Sequence, residues 1–180
     1  CVLFTIPRIA GTGKVLFRSR IMLRLTWDMF HKDCELLAEN IRRSGRSFDK
    51  LMCVTRGGVF VGGLLAHMLG IRNVTTIALK LYEFDQQGQV VEQLSAPDLP
   101  LPGSRMLVVD DMLDSGRTLS YITEKWGQEY DIDIAVLYDK GGGTLRPAFT
   151  ARSIPDEWVC FPWEPPLPKS SPNRATDGTL

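Results

Sequence analysis

Between Leu51 and Tyr138 the sequence runs twice through one pattern: apolar stretch, polar break, striped helical stretch, apolar stretch. In the first pass, Leu51 to Val54 reads as a buried strand and breaks at Thr55-Arg56-Gly57-Gly58. A helix from Val59 to Leu69 follows, stopped by Gly70. Val74 to Tyr82 then places Ile77, Leu79 and Leu81 on one strand face. In the second pass, Arg105 to Val109 is the strand and Asp110 to Gly116 the loop. Arg117 to Trp126 is the helix, and Ile132 to Tyr138 the closing strand. Strands joined through a helix run parallel, so the fold class is α/β with an open, mainly parallel sheet flanked by helices. Such sheets bind ligands at the carboxyl ends of their strands, so the loops after Val54, Val109 and Tyr138 converge on one site.

A further helix precedes these units. Phe30, Cys34, Leu37 and Ile41 form one helical stripe, with Thr26 placed to cap its start and Gly45 to end it. Two other stretches lack such a pattern. Glu83 to Ser104 carries Gln, Gly and Pro with scattered apolar positions, which suits a mobile lid, with room for a short hairpin around Gln87-Gly88. Residues 165–180 are rich in Pro and Ser and read as a disordered tail. Residues 1–21 hold Arg8, Lys14, Arg18 and Arg20 without an acid and read as an extension, with a faint organellar-targeting pattern. That leaves one domain over residues 22–164.

Composition narrows the function classes. Lys plus Arg and Asp plus Glu each total 21, so there is no bulk attraction to nucleic acid, and no nucleic-acid partner is expected. No apolar run approaches the about 20 residues of a membrane-spanning helix. The four cysteines are scattered with no paired spacing. Cys34 and Cys53 fall in apolar stretches, which suits buried free thiols in a reducing, cytoplasmic setting.

The chemistry concentrates in Met106 to Leu119, MLVVDDMLDSGRTL. Asp110, Asp111 and Asp114 follow a buried strand, and Ser115-Gly116-Arg117-Thr118 opens a helix. Unpaired amides at a helix start bind phosphate. Carboxylates beside such a cradle suit a sugar phosphate and a divalent metal. The plain alternative, Asp114 or Ser115 as a helix cap, explains one carboxylate of the three. Arg56, with the amides around Gly57, suits a second anionic group. Gly11-Thr12-Gly13-Lys14 lacks the first Gly and the final Ser or Thr of a P-loop.

Val108 to Thr118, VVDDMLDSGRT, resembles the phosphoribosyl pyrophosphate signature of type I phosphoribosyltransferases. More widely, LTWDM, VTRGG, GLLAHMLGIRNV and PDEWVCFPWE resemble xanthine-guanine phosphoribosyltransferases, from about Leu25 to Glu164. The resemblance implies a parallel-sheet domain with a flexible lid and a small C-terminal hood over residues 144–164. The implied reaction joins phosphoribosyl pyrophosphate to a 6-oxopurine, with Mg2+ as cofactor, in a dimer or tetramer. Arg56 and Gly57 match the pyrophosphate loop, which often holds a non-proline cis peptide. Asp110, Asp111, Asp114, Ser115, Gly116, Arg117 and Thr118 match the phosphoribosyl site. Asp114 matches the general base, and Lys140, Trp158 and Val159 match the base subsite. Asp111 matches a metal contact. Glu164 stands where the family often has an aspartate near a second metal, and the lid lacks the arginine expected after Tyr82. Two other readings remain open on sequence: a phosphoribosyl pyrophosphate-sensing regulator, and a phosphoribosyltransferase for another base.

Overall fold

A computed structural model describes residues 2–9, 15–84, 88–154 and 157–165. Its elements, in chain order, are β1 (Val2–Ile9), β2 (Val15–Arg24), α1 (Trp27–Arg43), β3 (Lys50–Thr55), α2 (Gly57–Leu69) and β4 (Val74–Phe84). They continue with β5 (Gly88–Ser95), β6 (Arg105–Leu113), α3 (Arg117–Trp126), β7 (Asp131–Asp139), β8 (Phe149–Ser153) and β9 (Glu157–Cys160).

The main sheet has the order β5-β4-β3-β6-β7-β8, with β3, β4, β6, β7 and β8 parallel and β5 antiparallel at the edge. Alternation along the central strands sorts side chains between two cores. Leu51, Cys53, Leu107 and Val109 face α1 and α2, where Phe30, Cys34, Leu37 and Ile41 are buried. Met52, Val54, Met106 and Val108 face α3 with Leu119, Ile122 and Trp126. Burying each large side chain contributes roughly 1.5–3 kcal/mol, so both faces of the sheet are held by the pattern seen in the sequence. Thr26 caps α1 as expected, its hydroxyl accepting from the Met29 N–H at 3.2 Å.

Three expectations change. The segment Glu83 to Ser104 is not irregular throughout: β4 extends to Phe84 and β5 returns antiparallel beside it, so the hairpin suggested around Gln87-Gly88 is longer than a local turn. Residues 85–87 lie outside the described residues. The downstream leg is moored by Lys50, a fully buried lysine whose ammonium donates to the Asp98 carbonyl at 2.7 Å and to its carboxylate at 2.6 Å. Second, β6 carries on past Val109, because β7 continues to pair with it through Asp110↔Val136 and Met112↔Tyr138. Asp110 and Asp111 therefore stand on the strand end, not in the loop. Third, the N-terminal residues form strands: β1 and β2 are antiparallel, and β2 runs parallel to β9 in a separate three-stranded sheet. Beyond Pro165, the residues read as a disordered tail lie outside the described residues.

Candidate active site

The carboxyl ends of β3, β6 and β7 bring three loops together, as parallel topology requires. The first begins at Thr55, whose peptide bond to Arg56 is cis. Arg56 is exposed at the start of α2, followed directly by Gly57 and Gly58. Both glycines are sterically required. A Cβ on Gly57 would fall 1.8 Å from Asp111 Oδ2, and one on Gly58 2.5 Å from the Val109 carbonyl. The first turn of α2 thus lies directly against the acidic end of β6. A cavity of about 450 Å3 opens here, lined by Arg56, Gly57, Phe60, Asp111, Trp163 and Glu164. Phe60 and Trp163 stack in parallel on its wall, ring centroids 4.3 Å apart.

The second loop begins on β6. Asp110 and Asp111 are half-buried, and the Asp111 N–H donates to Asp110 Oδ1 at 2.9 Å. Burial, and then the charge of Asp111, push the Asp110 carboxyl well above the usual carboxylate range. Burial also raises Asp111, and the charge of Glu164 adds to the shift, against hydrogen bonds that lower it. Past these acids the chain turns through Asp114, Ser115 and Gly116 into α3. Gly116 has φ +79°, a left-handed conformation that favours glycine. No side chain caps α3, which removes the helix-cap explanation of Asp114 and Ser115. A cavity of about 210 Å3 lies over this helix start, lined by Asp110 and residues 112–119. Ser115, Arg117 and Thr118 all border it. Uncapped amides, hydroxyls and an arginine around a small cavity form an anion cradle.

The third loop follows β7. The Lys140 side chain is nearly buried, with Nζ 3.8 Å from Asp114 Oδ2 and 5.3 Å from the centroid of the Trp158 ring. Trp158 is 42% exposed, so its face remains accessible. Lys140 N–H donates to the Leu113 carbonyl at 3.0 Å, which ties this loop to the acid loop. Gly142 and Gly143 tighten the contact: a Cβ on them would meet the Asp114 carbonyl at 3.0 Å and the Ser115 carbonyl at 2.5 Å. Val159 is buried in β9. The Cys160 carbonyl accepts from Leu25 N–H, so strand alternation turns the Val159 N–H and C=O to the opposite edge of β9.

The structure therefore brings Asp114, Lys140 and Trp158 together, and sets Asp110 between the helix cradle and the Arg56 cavity. Sequence reasoning missed Gly58, Gly142 and Gly143 as packing requirements, and missed Phe60 and Trp163 as cavity walls. The glycine run after Lys140 was the available signal. Among the described residues no three His, Cys, Asp or Glu side chains cluster as a metal cage. Asp111 and Glu164 do line one cavity, although Glu164 Oε2 already accepts the Phe161 N–H at 3.0 Å. Two carboxylates with an open approach fit Mg2+, which is usually held by one or two carboxylates plus waters and substrate phosphates.

An anion cradle at an uncapped helix start, next to paired carboxylates and an arginine loop, is the arrangement of an α/β protein suited to phosphorylated ligands. Comparison gives the particular family. The phosphoribosyl transferase domain matches residues 26–170. Among solved structures, a purine phosphoribosyltransferase from Pyrococcus horikoshii is 28% identical with TM-score 0.72, covering 82% of this chain and 98% of its own. A hypothetical protein from Neisseria gonorrhoeae with bound ppGpp is 25% identical with TM-score 0.72, covering 81% and 90%. The xanthine-guanine-hypoxanthine phosphoribosyltransferase of Helicobacter pylori shares the fold at 24% identity and TM-score 0.68, covering 79% and 94%. The chain belongs to the phosphoribosyl transferase domain family.

Proposed function

We propose that the protein transfers the phosphoribosyl group of phosphoribosyl pyrophosphate to a 6-oxopurine, releasing pyrophosphate and a nucleoside monophosphate. The convergence of Asp114, Lys140 and Trp158 beside the α3 cradle carries this reading. The 5′-phosphate sits over the amides and hydroxyls of residues 115–118, and the diphosphate meets Arg56 and the Gly57 amide. Asp110 and Asp111 receive the ribose hydroxyls. Asp111 and Glu164 are the residues that would hold Mg2+, which supplies charge neutralisation for the departing pyrophosphate.

In the reaction the bond from the anomeric carbon to the pyrophosphate oxygen breaks, and a bond from that carbon to a purine ring nitrogen forms. Positive charge develops on the sugar, which the nearby carboxylates favour. Asp114 accepts the proton that the purine nitrogen loses. Lys140 donates to the 6-oxo group, Trp158 offers a stacking face, and Val159 presents its backbone groups from the free edge of β9. An ammonium has nothing to accept from a 6-amino group, so adenine leaves a donor facing a donor. The buried free thiols of Cys34, Cys53 and Cys160 suit a cytoplasmic enzyme.

The test is incubation with Mg2+, phosphoribosyl pyrophosphate and each of guanine, xanthine, hypoxanthine and adenine, with nucleotide products separated by chromatography. Nucleotide from at least one 6-oxopurine, with adenine used at least ~10²-fold less efficiently, is expected. Efficient use of adenine overturns the base assignment. No nucleotide from any purine overturns the activity.

A further inference from the structure

Asp33 belongs to no recognised motif, yet it is among the most constrained side chains in the molecule. It lies on α1 at 4% exposure, beside the apolar stripe. Burying a carboxylate is costly unless its oxygens are satisfied. Here they are. Oδ2 accepts the Tyr138 hydroxyl at 2.5 Å, and Oδ1 accepts Arg152 Nε at 2.8 Å and Nη2 at 2.7 Å. One carboxylate thus joins α1 to β7 and β8.

Tyr138 is fully buried and sits two residues before Lys140. Its backbone is in register with Met112 on the acid strand and with Arg152 on β8. Its ring lies 5.9 Å from that of Phe161, three residues beyond Trp158. Asp139, between Tyr138 and Lys140, accepts the Ile154 N–H through its carbonyl at 2.8 Å. The Tyr138 side chain therefore hydrogen-bonds from the end of β7 to α1, on the same short segment that presents Lys140. Burial, and then its bond to Asp33, raise the Tyr138 phenol well above its ordinary range, so it remains a hydrogen-bond donor.

We propose that Asp33 and Tyr138 are positioning residues for base recognition. Their hydrogen bond fixes the end of β7, and with it the place of Lys140 against Asp114 and Trp158. This rests on the reading of Lys140 as a base contact. An all-apolar pair would bury as much surface. A hydroxyl–carboxylate bond adds direction, because it holds only over a narrow range of distance and angle. The Asp33 carboxylate and the Tyr138 hydroxyl line neither the anion cradle nor the Arg56 cavity, so loosening their bond acts first on the segment that carries Lys140.

The test is steady-state kinetics of Tyr138→Phe, Lys140→Ala and the double variant, each with thermal melting. Tyr138→Phe keeps the ring and removes only the donor. It should raise KM for the 6-oxopurine roughly 5- to 10-fold and leave KM for phosphoribosyl pyrophosphate within about twofold. The double variant should show no further rise over Lys140→Ala, since Tyr138 acts through Lys140. If Tyr138→Phe fails to fold, Asp33→Ala, which leaves the Tyr138 hydroxyl no acceptor on α1, should show the same selective rise. Equal changes in both KM values, an unchanged base KM, or additive effects in the double variant overturn the proposal. A Lys140→Ala variant with an unchanged base KM instead overturns the base contact itself, and the positioning role with it.

Discussion

Gly57 and Asp111 leave no room between them for a single carbon: a Cβ on the glycine would lie 1.8 Å from the carboxylate oxygen. The start of α2 and the acid strand are therefore pressed together without room for a side chain. Gly57→Ala should displace Asp111 or the start of α2, lowering stability by roughly 1–3 kcal/mol and reducing turnover further. Gly63 is the control, since nothing lies within 4 Å of its added Cβ. Gly63→Ala should stabilise by about 0.5–1 kcal/mol through helix propensity and leave turnover intact. Denaturant melts and kinetics of both variants check the contrast. Equal behaviour of the two would show the Gly57 contact to be relaxed.

Asp114 is mostly exposed, with Lys140 as its near neighbour, so replacing it should cost little stability. Asp114→Asn should fold with a melting temperature near wild type and lose ~10²–10⁴-fold in kcat, because an amide cannot take the purine proton. Turnover close to wild type would remove Asp114 from the proton transfer.

Arg56 makes no ion pair among the described residues and borders the 450 Å3 cavity. Arg56→Ala should weaken phosphoribosyl pyrophosphate binding by roughly 1.5–3 kcal/mol, the worth of a charge-assisted hydrogen bond, and leave purine affinity unchanged. Isothermal titration with each ligand separates the two effects. A variant that binds the diphosphate as well as wild type would assign that anion elsewhere.

The buried thiols predict an alkaline limit. Burial, and then the charge of Asp33, push Cys34 up to about 12, and burial pushes Cys53 up to about 11. Their unfolded values lie near 8.5, so the folded thiols hold their protons where the unfolded ones release them. Their contribution to stability is complete below about pH 8.5 and is lost as the pH rises toward 11–12. Unfolding free energy measured from pH 7 to 10.5 should fall above pH 8.5, with less of a fall in a Cys34→Ala, Cys53→Ala variant. Peptide mapping after iodoacetamide at pH 8.5 should find both thiols unmodified in the native protein.

The layered core was legible in the sequence because both periodicities were strong. Leu51 to Val54 and Met106 to Val109 send alternate residues to opposite cores, and the stripe of α1 is buried where its spacing placed it. Asp114 stood out with the acid cluster after β6, whereas Lys140 and Trp158 were legible only through resemblance. A single lysine or tryptophan in a loop carries no signal of its neighbour, and their meeting depends on β7 and β9 being brought to one end of the fold. The true extent of β6 was hidden because a strand ending in two aspartates has poor strand propensity; the pairing with β7 overrides it. Lys50 was hidden for a related reason. Nothing local marks a strand's first residue as a buried ammonium whose partner, Asp98, lies on the far side of a hairpin. Asp33 likewise reads as a solvated helix residue until Tyr138 and Arg152 are seen beside it.

The contact of Gly142 and Gly143 with the Asp114 and Ser115 carbonyls sets a limit on how this enzyme can change. A side chain added to that loop would push on the same turn that borders the cavity at the start of α3. At these two glycines the loop after β7 and the turn before α3 are packed backbone to backbone. With Lys140 and Trp158 as the proposed acceptor contacts, a change of acceptor is expected at those two side chains, since bulk added at Gly142 or Gly143 would press first on the turn at Asp114 and Ser115.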